Sequence, residues 1–327
     1  MAHILVTGSS GFIGCRTAQL LLDQGHLVTG VDNMNDYYDV RIKHYRQKML
    51  EKNRQFYFVH ADIENKDEMA SLFSENKFDS VINLAARAGV RYSMENPYVY
   101  IATNVTGTLN LLELMRAYKI NKMVLASTSS LYANQPMPFS ESLPANTPVS
   151  PYAASKKAAE LLAYSYHFLF GFDITVLRYF TVYGPAGRPD MSVFRFIKWI
   201  DEGTPIELFG DGSQSRDFTY VDDIADGTIK ALAAPGFEII NLGGGKNPHT
   251  LTYMISKIES YLGKKAFINK KDFHKADVME TWADISKAER ILKWKPTVDF
   301  DSGLKKSVEW YLENKEWLKS VEVDASA

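Results

Sequence analysis

Tyr152 and Lys156 stand four residues apart in Tyr152-Ala153-Ala154-Ser155-Lys156, and on a helix this spacing puts both side chains on one face. An ammonium beside a phenol favours the phenolate, which makes Tyr152 a candidate base well below the usual tyrosine pKa of about 10. Such a base removes the proton of a sugar hydroxyl while the carbon beneath it gives up hydride. Alone, the pair occurs often by chance. An earlier segment gives it weight: Thr7-Gly8-Ser9-Ser10-Gly11-Phe12-Ile13-Gly14, in which Gly8, Gly11 and Gly14 permit a tight turn, close backbone approach and close helix packing. A helix opening there presents unpaired N–H groups and the positive end of its dipole to a pyrophosphate. Asp32 follows near the expected distance of about 20 residues. A carboxylate at that place accepts from both ribose hydroxyls and repels a 2′-phosphate, so NAD rather than NADP is expected; the competing role for Asp32 is to cap the next helix.

These groups need a frame. From Ile4 to about Phe180, short β-branched runs alternate with longer helical patterns, which predicts an α/β fold, a Rossmann-like doubly wound parallel sheet. The expected strands are Ile4 to Thr7, Leu27 to Val31, Phe56 to His60, Val81 to Leu84, Lys122 to Ser127 and Ile174 to Arg178, with helices opening near Gly11, Asp39, Lys66, Pro97 and Pro151. In the first helix, Phe12, Ile13, Leu20, Leu21 and Leu22 are expected to face the sheet. Asp62-Ile63 and Asn83-Leu84-Ala85-Ala86 then fall at the carboxyl ends of parallel strands, where ligands collect. Asp62 can reach an adenine amino group or cap a helix; small Ala85 and Ala86 let backbone approach the cofactor. Ser127-Thr128-Ser129-Ser130 ends the strand before Tyr152 and places hydroxyls near it.

After Phe180 the rhythm breaks, with a Gly/Pro loop through Asp190, a helix from about Ser192 to Glu202, a strand over 205–209, a helix over 220–234 and a strand over 238–242 that can rejoin the sheet. The expected division is an NAD-binding domain of residues 1–180 plus about 218–245, and a smaller mixed α/β C-terminal substrate lobe of 181–217 and 246–327, its tail frayed after Trp317. Leu109, Leu111, Leu112, Leu114, Leu161 and Leu162 suit either the sheet or a helix-to-helix dimer.

Composition narrows the partners. The 327 residues carry 37 Lys plus Arg against 39 Asp plus Glu, a net charge of −2, with 46% hydrophobic residues. That balance provides no footprint for nucleic acid or an anionic membrane. The one cysteine, Cys15, rules out an intrachain disulfide and any cysteine-built metal centre; no metal is expected, and a reducing, cytoplasmic setting is. No run approaches the roughly 20 apolar residues of a membrane span. The opening Met1-Ala2-His3-Ile4-Leu5-Val6 enters a strand pattern at once, without a leader.

Thr7 to Gly14, Asp32, Asn83 to Ala86 and Tyr152 to Lys156 together resemble the extended short-chain dehydrogenase/reductase family of nucleotide-sugar enzymes, and the resemblance spans essentially the whole chain. It implies Tyr152 as base, Lys156 also on the nicotinamide ribose, Thr128 as third catalytic hydroxyl with Ser129 as the fallback, and further cofactor contacts from Phe12, Ile13, Asn33, Ile63, Leu84, Asn104 and Tyr179. The family usually has Val-Tyr-Gly where this chain has Leu131-Tyr132-Ala133. Two longer runs, Asp32-Asn33-Met34-Asn35-Asp36-Tyr37-Tyr38-Asp39 and Arg178 through Met191, are similar to segments of the UDP-glucuronate 4-epimerases in that family. They imply Arg188 and Thr181 at a C6 carboxylate, which a planar guanidinium matches two bonds at a time. Arg216 in Ser215-Arg216-Asp217-Phe218 is implied at the UDP phosphates. Ser130, Arg91, Ser93, Met191, Val193, Phe194 and Asp277 are implied as further substrate contacts, although Phe194, with Phe196, also reads as core. The activity implied is interconversion of UDP-glucuronate and UDP-galacturonate with bound NAD, in a homodimer. A UDP-glucuronate decarboxylase, another UDP-hexose 4-epimerase, a dehydratase and a non-catalytic NAD sensor stay open. Ser129 and Ser130 stand where dehydratases, and in general decarboxylases, carry acidic residues.

Overall fold

The computed structural model describes residues 1–245, 248–272 and 279–323. Asp277 lies outside the described residues. Seven strands make one parallel sheet: β1 (His3–Thr7), β2 (Leu27–Asp32), β3 (Phe56–His60), β4 (Ser80–Asn83), β5 (Lys122–Thr128), β6 (Asp173–Tyr179) and Phe237–Leu242, the strand that returns from the later part of the chain. In space they run Phe237–Leu242, β6, β5, β4, β1, β2, β3. The order reverses between β1 and β4, where Thr7 pairs with Val31 on one side and Asn83 on the other. A crevice opens at such a switch point, beyond the carboxyl ends of the strands.

The strands are apolar almost throughout because both faces are covered. Alternate residues go to opposite faces. Ile4, Val6, Val28, Ile82 and Val124 pack with helix α1 (Phe12–Asp23), while Leu5, Val31, Val81, Met123 and Leu125 pack under Met69, Phe73, Leu111 and Leu112. In α1 the sheet-facing residues are Gly14, Cys15, Thr17, Ala18, Leu21 and Leu22. Of the other residues expected to face the sheet, Ile13 is half-buried but packs against this core, while Phe12 and Leu20 are half-buried. A Cβ at Gly14 would stand 2.0 Å from the Gly8 carbonyl oxygen, so the helix enters tight against the turn.

Helix α2 spans Val40–Leu50, capped by Asp39, whose side chain accepts from Arg41 N–H. Helix α3 (Lys66–Glu75) takes its cap from Asn65 and not from Asp62. The single helix expected after Pro97 is broken into Tyr98–Tyr100, a π-helical stretch Ile101–Gly107 and Thr108–Tyr118. Gly107 is wedged against Ile63, 2.6 Å from where its Cβ would be, and π turns mark sites where a helix is bent to a task. Pro151 opens the helix Pro151–Phe170, with Ser150 Oγ accepting from Ala153 N–H.

A separate core gathers Ile197, Ile200, Ile206, Leu208, Met254, Ile258, Leu304 and Tyr311 from the helices Ser192–Glu202, Leu251–Leu262 and Phe300–Leu318 and the strand Ile206–Phe209. The chain after Trp317 is not frayed as far as it is described. Leu318 and Val321 are buried in this core, and Lys198 Nζ donates to the Leu318 carbonyl at 2.8 Å. A short parallel pair, Thr181–Tyr183 with Phe218–Tyr220, brings the Arg178-to-Met191 segment beside the Arg216 segment; sequence patterning does not reveal it because each piece has three residues.

Candidate active site

The glycine turn closes on the sheet edge. Gly8 has φ 71°, and a Cβ there would meet Ala85 N at 2.7 Å, so only glycine lets the two chain segments touch. Gly11 starts α1 with no side-chain cap and no acidic residue in the first turn. The N–H groups and dipole are left for an anion. Asp32, 7% exposed at the end of β2, accepts from Ser10 N–H at 3.1 Å and Met34 N–H at 2.9 Å, which sets its carboxylate facing the turn. It is not the cap of α2. The crevice therefore fits a dinucleotide: a cradle that a Cβ would fill, a helix start, and a carboxylate at ribose reach.

Around it lie partners that the sequence hid. Lys43 Nζ stands 3.9 Å from Asp32, and burial draws its pKa down to about 8. Arg46, buried one turn later, donates to the carbonyls of Ser10, Ala186 and Gly187, tying the glycine turn to the arginine loop. Basic residues on a helix read as a solvated face, and only their spacing of three hinted at a shared buried side. Asp62 is held by Asn33 Nδ2 at 2.7 Å and accepts from Glu64 N–H. Ile63 is buried, while Leu84, Ala85 and Ala86 remain half-buried at the edge of β4. Two expected cofactor contacts are committed elsewhere. Asn104 spends its amide on Arg87 N–H, the Arg87 carbonyl and Ser155 Oγ. The Tyr179 hydroxyl pairs with Thr228 at 2.8 Å, leaving only its backbone at the sheet edge.

Tyr152 and Thr128 meet. Burial pushes the Tyr152 pKa up, while a hydrogen bond with Thr128 and the charge of Arg188 oppose that rise. Thr128 Oγ1 donates to Ser130 Oγ at 3.1 Å and accepts from Ser130 N–H, so the hydroxyl run forms one small turn. Lys156 differs from expectation. Its Nζ donates to the Ala126 carbonyl at 3.0 Å; burial lowers its pKa to about 8 and the Glu160 carboxylate resists. The charge set against the phenol in this arrangement is Arg188. Ala133 costs nothing in place of the family's glycine, because its φ of −49° suits any residue. Tyr132 belongs to a buried network: Glu160 accepts from Ser127 Oγ at 2.6 Å and from Arg178 at 2.9 and 2.8 Å, Arg178 donates to the Tyr132 hydroxyl, and that hydroxyl donates to Asn241. The network anchors β5, β6, the Tyr152 helix and the returning strand together. Glu160, one turn past Lys156, was its only sequence signal.

Arg188 is held by Asp190, Nε to Oδ1 at 3.0 Å and Nη2 to Oδ2 at 2.5 Å. The expectation of a fork open to a substrate carboxylate is thus corrected: one edge of the guanidinium is taken. Thr181, Arg188, Met191, Val193 and Phe194 border a small cleft together with Phe12. Val193 and Phe194 are buried in the second core, Phe194 against Trp310 and Tyr311, which follows from the apolar face of their helix. Arg216 Nη1 donates to the Ser215 carbonyl. Arg91 lies 4.7 Å over the ring of Phe209, the last residue of the strand Ile206–Phe209. Ser93 is fully buried, its Oγ donating to the Val90 carbonyl. Among the described residues no His/Cys/Asp/Glu group is arranged to hold a metal, and no helix is long and apolar enough to cross a membrane.

The profile of a family described as GDP-mannose 4,6 dehydratase matches residues 5–307. The chain belongs to this family, the extended short-chain dehydrogenase/reductases. A UDP-glucuronate 4-epimerase of Thermodesulfobacterium geofontis is 57% identical over 323 residues, covering 99% of this chain and all of that one. The crystal structure of UDP-glucuronic acid 4-epimerase from Bacillus cereus, in complex with UDP-glucuronic acid and NAD, superposes with a TM-score of 0.89 at 39% identity, covering 95% of this chain and 99% of that chain. A UDP-glucose 4-epimerase of Thermotoga maritima, with UDP-glucose, gives 0.86 at 31% identity, over 96% of this chain and all of that chain. This family member therefore stands among 4-epimerases although its profile bears a dehydratase's description.

Proposed function

We propose that the chain is an NAD-dependent UDP-glucuronate 4-epimerase that interconverts UDP-glucuronate and UDP-galacturonate. The observation that carries this reading is the meeting of Tyr152 with Thr128 beside Arg188, at the edge of a dinucleotide crevice. NAD, held by the glycine turn and Asp32, takes hydride from C4 and returns it to the opposite face. Tyr152 removes the C4 hydroxyl proton and gives it back, with Thr128 in hydrogen bond to both phenol and sugar oxygen. Lys156 supports the nicotinamide ribose from its place on Ala126. Asp62 and Asn33 serve the adenosine half, with Ile63, Leu84, Ala85, Ala86, Phe12 and Ile13 as walls; Asn104 acts by positioning the Arg87 backbone.

Thr181, Ser129, Ser130 and the edge of Arg188 left by Asp190 face the C6 carboxylate. Arg216 serves the diphosphate and Arg91 the closure toward the second lobe. We place lobe boundaries near 180, 218 and 245 on the strength of the returning strand, with Ala283, Ile285, Ala288, Leu292 and Trp294 of the last part of the chain packing back into the first core rather than the second. Leu111 and Leu112 are spent on the sheet, whereas Leu161, Tyr164, Phe168 and Leu169 are exposed along the Tyr152 helix. We assign this face to a homodimer contact. A cytoplasmic setting accords with the single buried Cys15.

Proton NMR of UDP-glucuronate incubated with the protein is expected to show UDP-galacturonate, and Tyr152→Phe is expected to retain NAD while losing at least about 10²-fold in turnover. Carbon dioxide with a UDP-pentose as main product would overturn the reading in favour of a decarboxylase. Near-normal turnover of Tyr152→Phe would remove the base assignment.

A further inference from the structure

The run from Asp32 to Asp39 bears the resemblance to uronate epimerases, and between Asn33 and the Asp39 cap of α2 it carries Asn35, Tyr37 and Tyr38. In the structure it crosses from the ribose carboxylate to the arginine loop. Arg87 Nη1 donates to Asn35 Oδ1 at 3.2 Å on the way. At the far end, Tyr37 and Tyr38 each place a ring 5.5 Å from the Arg188 guanidinium. The Tyr37 hydroxyl is hydrogen-bonded with Arg188 and with Tyr100. A Cβ on Gly89 would meet that hydroxyl at 2.3 Å, so glycine there is what admits the ring. Asp190, its side chain 8% exposed, completes the enclosure through Nε and Nη2. A guanidinium flanked by two rings and forked by a carboxylate cannot turn about its last bonds.

We propose that Asp190 and Tyr37 are positioning residues that lock Arg188, and that this lock sets how much of the 4-keto intermediate completes epimerisation rather than losing carbon dioxide. The inference rests on the 4-epimerase reading. In a 4-keto uronate, C5 lies between the C4 carbonyl and the C6 carboxylate. When the C5–C6 bond stands parallel to the carbonyl π system it breaks. C6 leaves as carbon dioxide, the bonding pair forms a C4–C5 enolate, and a proton adds at C5 to give the 4-keto pentose, which hydride from the NADH formed on oxidising C4, with a proton, reduces to the UDP-pentose. No further oxidant is needed, because the ketone is already present. A guanidinium free to swing follows the carboxylate through that alignment; a fixed one, meeting it by a single edge, holds it away.

An Arg–Asp pair that only tied the loop together would affect stability and would slow both outcomes alike. The lock predicts a change in their ratio. With the NAD-loaded protein and UDP-glucuronate, carbon dioxide and UDP-pentose are measured against UDP-galacturonate for the wild type, Asp190→Asn, Asp190→Glu and Tyr37→Leu. Asp190→Asn is expected to raise the decarboxylation-to-epimerisation ratio by about 10-fold, Tyr37→Leu by about 3-fold, and Asp190→Glu to restore most of the wild-type ratio. Should Asp190→Asn not fold, Tyr37→Leu and Asp190→Glu carry the test. A wild-type ratio in variants that have lost turnover would overturn the inference. A wild type making no UDP-galacturonate would instead remove the reading beneath it.

Discussion

Replacing Glu160 with Gln removes the negative member of a pair whose side chains are 1% and 2% exposed. Gln keeps the shape but leaves the Arg178 guanidinium buried without a counter-charge, a loss of about 3–5 kcal/mol. At roughly 2.1 cal/mol/K per residue, a chain of 327 residues unfolds with an entropy near 0.7 kcal/mol/K, so the melting temperature is expected to fall by about 4–7 °C. Scanning calorimetry of the two proteins at pH 7.5 measures this. The Arg178 partner depresses the Glu160 pKa. A depressed carboxyl stabilises above its unfolded value of about 4.3 and loses that contribution as pH falls through the folded value, so the gap between wild type and variant should close in acid. A companion, Glu160→Leu with Arg178→Met, removes both charges and should recover most of the loss. A single variant melting within about 1 °C of the wild type would refute the claim that this network holds the Tyr152 helix to the sheet.

Gly14→Ala puts a methyl 2.0 Å from the Gly8 carbonyl oxygen, a backbone atom that cannot turn aside. The glycine turn should open, at a strain of about 1–3 kcal/mol, and NAD affinity measured by fluorescence titration should fall about 10–100-fold; unchanged affinity would refute the turn as pyrophosphate site. Asp217, buried while accepting from the Gly245 and Ala283 N–H groups, has its pKa pushed up to about 6. Its native form holds more protons than the unfolded chain between about pH 4 and 6, so its charge lowers stability as pH rises through that range, by about 3 kcal/mol in total. In urea unfolding at pH 5, 6 and 8, the stability of Asp217→Asn relative to wild type should therefore rise with pH and level off above 7; a difference independent of pH would refute the assignment.

How much of this was legible depends on the kind of signal. The strands announced themselves because a sheet covered on both faces demands unbroken apolar runs, and Ile4-Leu5-Val6 or Met123-Val124-Leu125 could do little else. Gly8 and Asp32 were legible because backbone geometry at a strand-to-helix turn constrains residue type locally. Lys43, Arg46 and Arg178 were not, since a buried cation looks in sequence like an exposed one until its carboxylate or carbonyl partner is in place. Phe12 and Ile13 were both assigned to the sheet on apolarity; Ile13 packs there, whereas Phe12 borders the cleft with Arg188.

The amino-acid order by itself determined the parallel α/β frame, the dinucleotide turn, and the Tyr152/Lys156 pair, because each depends on residues within one element or one turn. Only the tertiary structure decided what faces the phenol. Arg188 lies 36 positions beyond Tyr152, and its charge comes to bear on the phenol only once the chain is folded and the Asp190 fork holds it, while Lys156 is drawn to the Ala126 carbonyl. Local periodicity cannot say which of two cations points at a third group, for that is settled by the competing partners that packing brings within hydrogen-bonding distance.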